Sequence, residues 1–373
     1  MSTWITMLDG AGTGPRVAVK DLVDVEGVPT TAGSRAVERI AKPAEGDAAC
    51  LKGFRAAGAR LMGKTNLHEL AVLPLGINPW FGTPVNPLDA ALIPGGSSSG
   101  SAVAVATDEA DVAIGSDTGG SVRIPSACCG VSGLKTTFGR IPIEGVWPLA
   151  PSFDTIGPIA RNFAGVTLGM QLLEPGFTPR ATPAQRIGRL RTTSLPEIEH
   201  AVDDALRGAE FEVVELDMPD WQEGNGAFTT IFLSETWETD HALAEQDPDG
   251  VGDDIKQLLQ LAPVFAPMLE DGRKQLDAWR AKLLSLFDQV ELLALPTLPM
   301  FPPRIDEIVG DPTPLVIDIT RYTSIFNGAG TPCTAQPIPV KGSNLPASLQ
   351  LVGPLCSEEL VIPTAARIEA AIG

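Results

Sequence analysis

Apolar and polar residues alternate along this chain in two rhythms, and each change of rhythm marks an element. Residues 17–20, VAVK, form an apolar run closed by a lysine and predict a buried strand, with a second strand over 22–25 and a turn at 26–29. Residues 47–58 have helical spacing, with Asp47 placed to cap the helix and Gly58 to stop it. The stretch 59–66 returns to a strand and a turn. Strand, helix and strand in succession imply a parallel or mixed sheet covered on both faces.

The C-terminal half follows the same logic, with a strand at 186–191, a helix at 195–207 and a strand at 212–216. Residues 221–285 hold Trp221, Trp237 and Trp279 and read as amphipathic helices with acidic outer faces. They are expected to supply part of a binding pocket, with the tryptophans serving as packing. A buried strand ending in a proline turn is predicted at 292–300, further strands at 332–340 and 348–353, and a last helix at 357–371. The proline-rich stretch 134–158 is expected to wrap the sheet as irregular chain. No repeat, low-complexity tract or linker interrupts the pattern, so a single domain over 1–373 is expected.

Composition narrows the function. With 44% hydrophobic and 20% charged residues the chain has the makings of a sizeable core. A net charge of −19 argues against a direct grip on nucleic acid or on an anionic membrane surface. There is no apolar run long enough to span a bilayer, and residues 1–10 lack the basic start of a leader, so a cytoplasmic protein is expected. The five cysteines, Cys50, Cys128, Cys129, Cys333 and Cys356, show no CxxC spacing and read as free thiols. His68 and Glu69 lie side by side, yet no HExxH accompanies them and His200 and His241 are distant, so no metal is expected.

Two glycine and serine clusters stand out, GGSSSGS at 95–101 and SDTGGS at 116–121. The second lies between a short strand at 111–115 and a short helix at 124–130, which has a proline near its first turn and a glycine past its end. Two glycines let the successive amides of Thr118, Gly119, Gly120 and Ser121 point to one spot, an anion-binding nest beside a serine hydroxyl. Those are the parts of an acyl-transfer site, with Ser121 as nucleophile and the amides receiving the oxyanion. The first cluster puts Ser97 on another sharp turn. A serine needs a base, and since the histidines sit in unrelated contexts, Lys20 at the end of its apolar strand is the candidate.

Lys20, Ser97 within GGSSSGS and Ser121 twenty-four residues later together resemble the amidase signature family. The likeness continues through GKTNLHELA at 63–71, GLKTTFGRIP at 133–142, PLAPSFDTIGPIARN at 148–162, LALPTLP at 293–299, NGAGTPC at 327–333 and LPASLQLVGP at 345–354. The resemblance implies an α/β fold, a mixed central sheet flanked by helices on both faces. It also implies a catalytic triad of Ser121, Ser97 and Lys20, with a cis peptide bond between Gly96 and Ser97. Thr118, Gly119, Gly120 and Ser121 would form the oxyanion hole, and Gly96, Ser98, Asp117 and Arg123 would support the loops. The expected partner is a small-molecule amide, with no metal or organic cofactor, and the chain is expected to act as a monomer or homodimer.

Departures from the family are a shortened N-terminus, with nineteen residues before the lysine, a shortened middle region at about 165–290, and Ser99 in place of a commoner glycine. They bear on subunit pairing and pocket walls more than on chemistry. Three rival readings remain. Gly96, Ser98 and Gly100 satisfy GxSxG, the nucleophile elbow of α/β hydrolases, but the last 132 residues contain no histidine. Glycine-rich turns before helices also bind phosphate, although no GxGxxG or GxxxxGK[ST] is present. The amidase subunit of a tRNA-dependent amidotransferase resembles the same core and would need a partner. The short termini and acidity favour a standalone hydrolase.

Overall fold

The computed structural model describes residues 2–218 and 220–373. Its strands are β1 (Trp4–Met7), β2 (Arg16–Lys20), β3 (Arg60–Thr65), β4 (Val112–Ser116), β5 (Ser132–Lys135), β6 (Ile156–Ala160), β7 (Arg186–Leu190), β8 (Glu212–Leu216), β9 (Leu292–Pro296), β10 (Cys333–Ile338) and β11 (Ala347–Val352). They form one mixed sheet in the order β1-β3-β2-β4-β6-β5-β10-β11-β9-β7-β8. Parallel pairing joins β3, β2 and β4 at one end and β9, β7 and β8 at the other, and antiparallel strands run between.

Both faces of the sheet are buried, as the period of two along its strands requires. In β2, Val17 and Val19 enter one core and Ala18 another, and in β9 Leu292 and Ala294 part from Leu293 and Leu295 in the same way. The helices are α1 (Arg35–Ile40), α2 (Lys52–Ala56), α3 (Ser99–Ala106), α4 (Arg123–Cys129), α5 (Phe163–Leu173), α6 (Pro196–Gly208), α7 (Trp221–Gln246), α8 (Asp253–Leu261), α9 (Leu269–Leu284), α10 (Thr313–Thr320), α11 (Ser324–Ala329) and α12 (Glu358–Ile372). Phe163, Val202 and Val361 bring α5, α6 and α12 onto the Val17 face. The opposite face is covered by α3 and α4 at the β2 end, and by α7, α9 and α11 around Trp279 and Phe228 at the β9 end. The expected α/β architecture, helices on both sides of a mixed sheet, is the one observed.

Three local expectations are corrected. The stretch 134–158 is not all irregular, because the end of β5 and the start of β6 fall within it at the middle of the sheet. Gly157 and Pro158 hide β6 from a propensity reading, yet the glycine is demanded by packing, since a Cβ there would lie 1.9 Å from the Leu134 carbonyl oxygen. Residues 22–25 make only isolated bridges, Val23 with Val146 and Val25 with Val28. Asp47 does not cap the helix; its carboxylate pairs with Arg55 at 2.7 Å, and Ala48 precedes the first turn. Among the described residues no helix is long and apolar enough to cross a membrane.

This topology positions the site. Parallel neighbours β2 and β4 end together, with Val19 opposite Ile114, so Lys20 and Ser116 emerge side by side at their carboxyl ends. The loop after β4 leads into α4, and Ser98, just before α3, bonds to Ser116 and Ser121, which brings both glycine and serine clusters together.

Candidate active site

Lys20 shares the face of Ala18 and is wholly buried. Its Nζ lies 2.7 Å from Ser97 Oγ and 2.8 Å from Ser116 Oγ. Burial pushes the amine down from its ordinary value of 10.5 to about 7, against the opposing pull of the Asp117 and Asp154 carboxylates. A lysine in that range is partly neutral at physiological pH and can accept a proton.

The Gly96–Ser97 peptide bond is cis. The Ser97 carbonyl accepts from the amides of His68 at 3.0 Å and Ser99 at 2.9 Å. Gly96 packs so closely that a Cβ would lie 2.6 Å from the Gly76 nitrogen. Ser98, also buried, joins the two clusters: its amide donates to the Ser121 carbonyl at 3.2 Å and its hydroxyl to the Ser116 carbonyl at 3.3 Å. No strand leads into it, so the serine at the centre of GxSxG is structural and not an exposed elbow.

Around Ser121 the loop is held from within by Asp117. Its carboxylate accepts from the Gly120 amide at 2.8 Å and the Val122 amide at 3.1 Å, and pairs with Arg123 at 2.9 Å. Burial opposes the charged carboxylate, but the Arg123 guanidinium, helped by Lys135 and Asn327, holds Asp117 well below the usual carboxylate range. Arg123 in turn donates to Gln350 Oε1 at 2.7 Å, Asn327 Oδ1 at 2.6 Å and the Thr323 carbonyl at 2.9 Å. The four amides expected at the oxyanion differ in what they already bond. Gly120 is committed to Asp117, whereas the amides of Thr118, Gly119 and Ser121 donate to no protein acceptor among the described residues. Gly120 is still required as glycine, because its φ is +132° and a Cβ would meet Thr323 Oγ1 at 2.4 Å.

Ser121 and Gly119 line a cavity of about 580 Å³. Its walls are mainly apolar side chains such as Phe228, Phe232, Leu258 and Phe265 from the 221–285 region and Val316 from α10, with Gln257, Gln260 and several threonines among them. The charged residues lining it are Asp254 and Asp311, with no lysine or arginine. Ser121 is 8% exposed, and its hydroxyl makes no protein hydrogen bond among the described residues.

Lys20, Ser97, Ser98, Asp117, Arg123 and the 118–121 loop are therefore brought together, and among the described residues no histidine ring bonds to any of them. His68 Nε2 faces Asp254 Oδ2 at 3.2 Å, His241 Nδ1 donates to the Trp237 carbonyl at 2.6 Å, and His200 is exposed. No group able to hold a metal ion is present among the described residues. The sequence reading missed Ser116, Asn327, Gln350 and Asp154. The last accepts the Thr118 hydroxyl at 2.6 Å and the Leu149 amide at 3.0 Å, tying the oxyanion loop to the cavity wall. A signal existed, since all four fall inside the motif stretches, but nothing in those stretches says which side chain points inward.

The model of the family described as Amidase matches residues 13–362, and the chain belongs to the amidase signature family. A solved structure described as an amidase superposes with a TM-score of 0.87 at 29% identity, covering 96% of this chain and 85% of that one. A glutamyl-tRNA(Gln) amidotransferase subunit from Halobacterium salinarum is 31% identical over 424 residues, 98% of each chain. The 2-amino-5-chloromuconic acid deaminase of Comamonas testosteroni is 33% identical over 410 residues, 99% of this chain and 85% of that one. Amide hydrolysis at a C–N bond through a serine acyl-enzyme is the chemistry of this chain at the level of its family.

Proposed function

We propose that this chain, acting as a single catalytic unit, hydrolyses a carboxylic amide whose acyl group is apolar and uncharged, with Ser121 as nucleophile, Ser97 as proton relay and Lys20 as base. The observation that carries the reading is the 2.7 Å contact between Lys20 Nζ and Ser97 Oγ, together with Ser121 on the neighbouring loop lining a largely apolar cavity. Ser121 Oγ adds to the carbonyl carbon while its proton passes through Ser97 Oγ to neutral Lys20. The free amides of Thr118, Gly119 and Ser121 donate to the oxyanion. Collapse breaks the C–N bond, the proton returns to the leaving nitrogen, the amine departs and the acyl group remains on Ser121 as an ester. Water adds to that ester through the same relay and the carboxylic acid leaves. Amide and water alone balance the sequence.

A panel of primary amides, anilides, carbamates and esters with apolar acyl groups tests the reading. Ser121→Ala is expected to lower kcat/KM by at least about a hundredfold at an unchanged melting temperature. Near-native turnover in that variant would mean that another group is the nucleophile.

A second reading is an amidotransferase component, and the comparisons lean toward it, since glutamyl-tRNA(Gln) amidotransferase subunits recur among the relatives at 29–32% identity. The cavity weighs the other way. Glutamine would bring a carboxylate against walls whose charged groups are Asp254 and Asp311. Ammonia release from glutamine, appearing only when the other components of such an amidotransferase are added, would favour the second reading over the first.

A further inference from the structure

The amide of Thr118 donates to no protein acceptor among the described residues, yet its direction is fixed from behind. A peptide unit is planar, and in its trans form the N–H points opposite to the carbonyl oxygen. Whatever grips the Asp117 carbonyl therefore aims the Thr118 N–H. Two donors grip it, Thr155 Oγ1 at 2.6 Å and Asn327 Nδ2 at 2.9 Å. Thr155 holds Asp117 a second time, since its own carbonyl accepts from the Asp117 amide at 2.8 Å. The pairing of β4 with β6 puts Ser116 opposite Ile156, so Asp117 and Thr155 are the next pair, one step past both strands. The loop leaves the sheet with its first peptide plane still fastened to it.

Asp154 holds the side chain of Thr118 itself. Its Oδ1 accepts from the Thr118 hydroxyl at 2.6 Å and the Ala150 amide at 3.2 Å, and its Oδ2 from the Leu149 amide at 3.0 Å. Two neighbours in sequence, Asp154 and Thr155, thus take Thr118 from two sides, one at its hydroxyl and the other at the peptide behind its nitrogen, and both are buried. The turn is already closed by the Asp117 carboxylate, which accepts the Gly120 and Val122 amides. The bonds from Asp154 and Thr155 act instead on the residue whose N–H is unspent. Donors on a carbonyl also polarise its peptide group, which strengthens the N–H on the other side.

We infer that Thr155, with Asp154 beside it, is a positioning residue that aims and strengthens the Thr118 amide for the developing oxyanion. The inference rests on the amide-hydrolase reading above and deepens it by saying what holds one of its donors in place. The charge that this donor meets exists only once Ser121 Oγ has added to the carbonyl carbon. Its contribution therefore belongs to the transition state and not to substrate binding. Thr155 is not among the residues lining the cavity, so removing its hydroxyl leaves the acyl walls as they are.

The test separates kcat from KM in the full chain. Thr155→Val keeps the shape and removes the hydroxyl, and the Asp117 carbonyl retains Asn327, so no buried acceptor is stranded. With an amide that the parent turns over, kcat is expected to fall at least about tenfold while KM stays within about twofold. Thr155→Ser restores the hydroxyl and should bring kcat back to within about threefold of the parent. Thr118→Val cuts the bond to Asp154, and combined with Thr155→Val it should cost about a hundredfold in kcat, the scale on which a whole oxyanion donor counts. A kcat in Thr155→Val within about threefold of the parent, a KM that rises as much as kcat falls, or no recovery in Thr155→Ser overturns the inference while the hydrolase reading stands. Should Thr155→Val melt too low to assay, Thr118→Val decides by the same split. If no amide is hydrolysed, the hydrolase reading fails separately. The inference is then read on the acylation of Ser121 by p-nitrophenyl acetate, followed by nitrophenolate release and intact mass. Equal rates in the parent and Thr155→Val, or no acylation of either, overturn it.

Discussion

A lysine serves as a base at neutral pH only when its charged form is made costly, and total burial of Lys20 at the end of β2 does this. Since the amine must be neutral to accept a proton, kcat/KM should rise with pH on a limb near 7 and level off above it. A profile that stays flat from roughly pH 5.5 to about 9 would contradict Lys20 as base. The same shift has a stability consequence. Between about 7 and 10.5 the unfolded chain holds a proton on Lys20 that the folded chain lacks, so stability rises with pH across that window. Urea midpoints measured across it should climb, and Lys20→Met should flatten the climb. Replacing His68, His200 and His241 singly by glutamine should leave kcat within roughly tenfold of the parent, because neither His68 nor His241 bonds its ring to the triad and His200 is exposed.

Elements matter here through the ends they present. The β4 to α4 turn is rigid because Asp117 gathers its amides and Arg123 fastens that carboxylate to α11 and β11 through Asn327 and Gln350. Both charges of the Asp117–Arg123 pair are wholly buried. Arg123→Met would leave Asp117 unpaired in the interior, and a loss of about 3–5 kcal/mol in denaturant titration is expected. The Arg123→Met and Asp117→Asn double variant should lose less than the sum, since the stranded charge is then gone. The strands β5 and β6 make a related point about local sequence. A four-residue SGLK and a strand bearing Gly157 and Pro158 have little preference for extended structure of their own, and they form strands because partners lie on both sides.

At the scale of the whole molecule, a charge of −19 on 373 residues is a repulsion that the folded state must carry. Raising salt from about 10 to about 150 mM should therefore raise Tm, because screening shortens the range of that repulsion; a fall would mean that surface ion pairs outweigh it. The sequence by itself determined the strand and helix alternation, the two loops that bear Ser97 and Ser121, and the place of Lys20 at the end of an apolar strand, from which it is proposed as the base. These are local features, written in periodicity, in glycines and in contiguous motifs. Only the tertiary structure decided that Gly120 spends its amide on Asp117, that Asn327 and Gln350 hold Arg123 from more than two hundred residues away, and that Ser98 faces inward. It also decided the cavity walls. Phe228, Leu258 and Val316 come from three separate helices, and whether an apolar side chain packs a core or lines a pocket depends on what stands opposite it, which no single stretch of chain encodes.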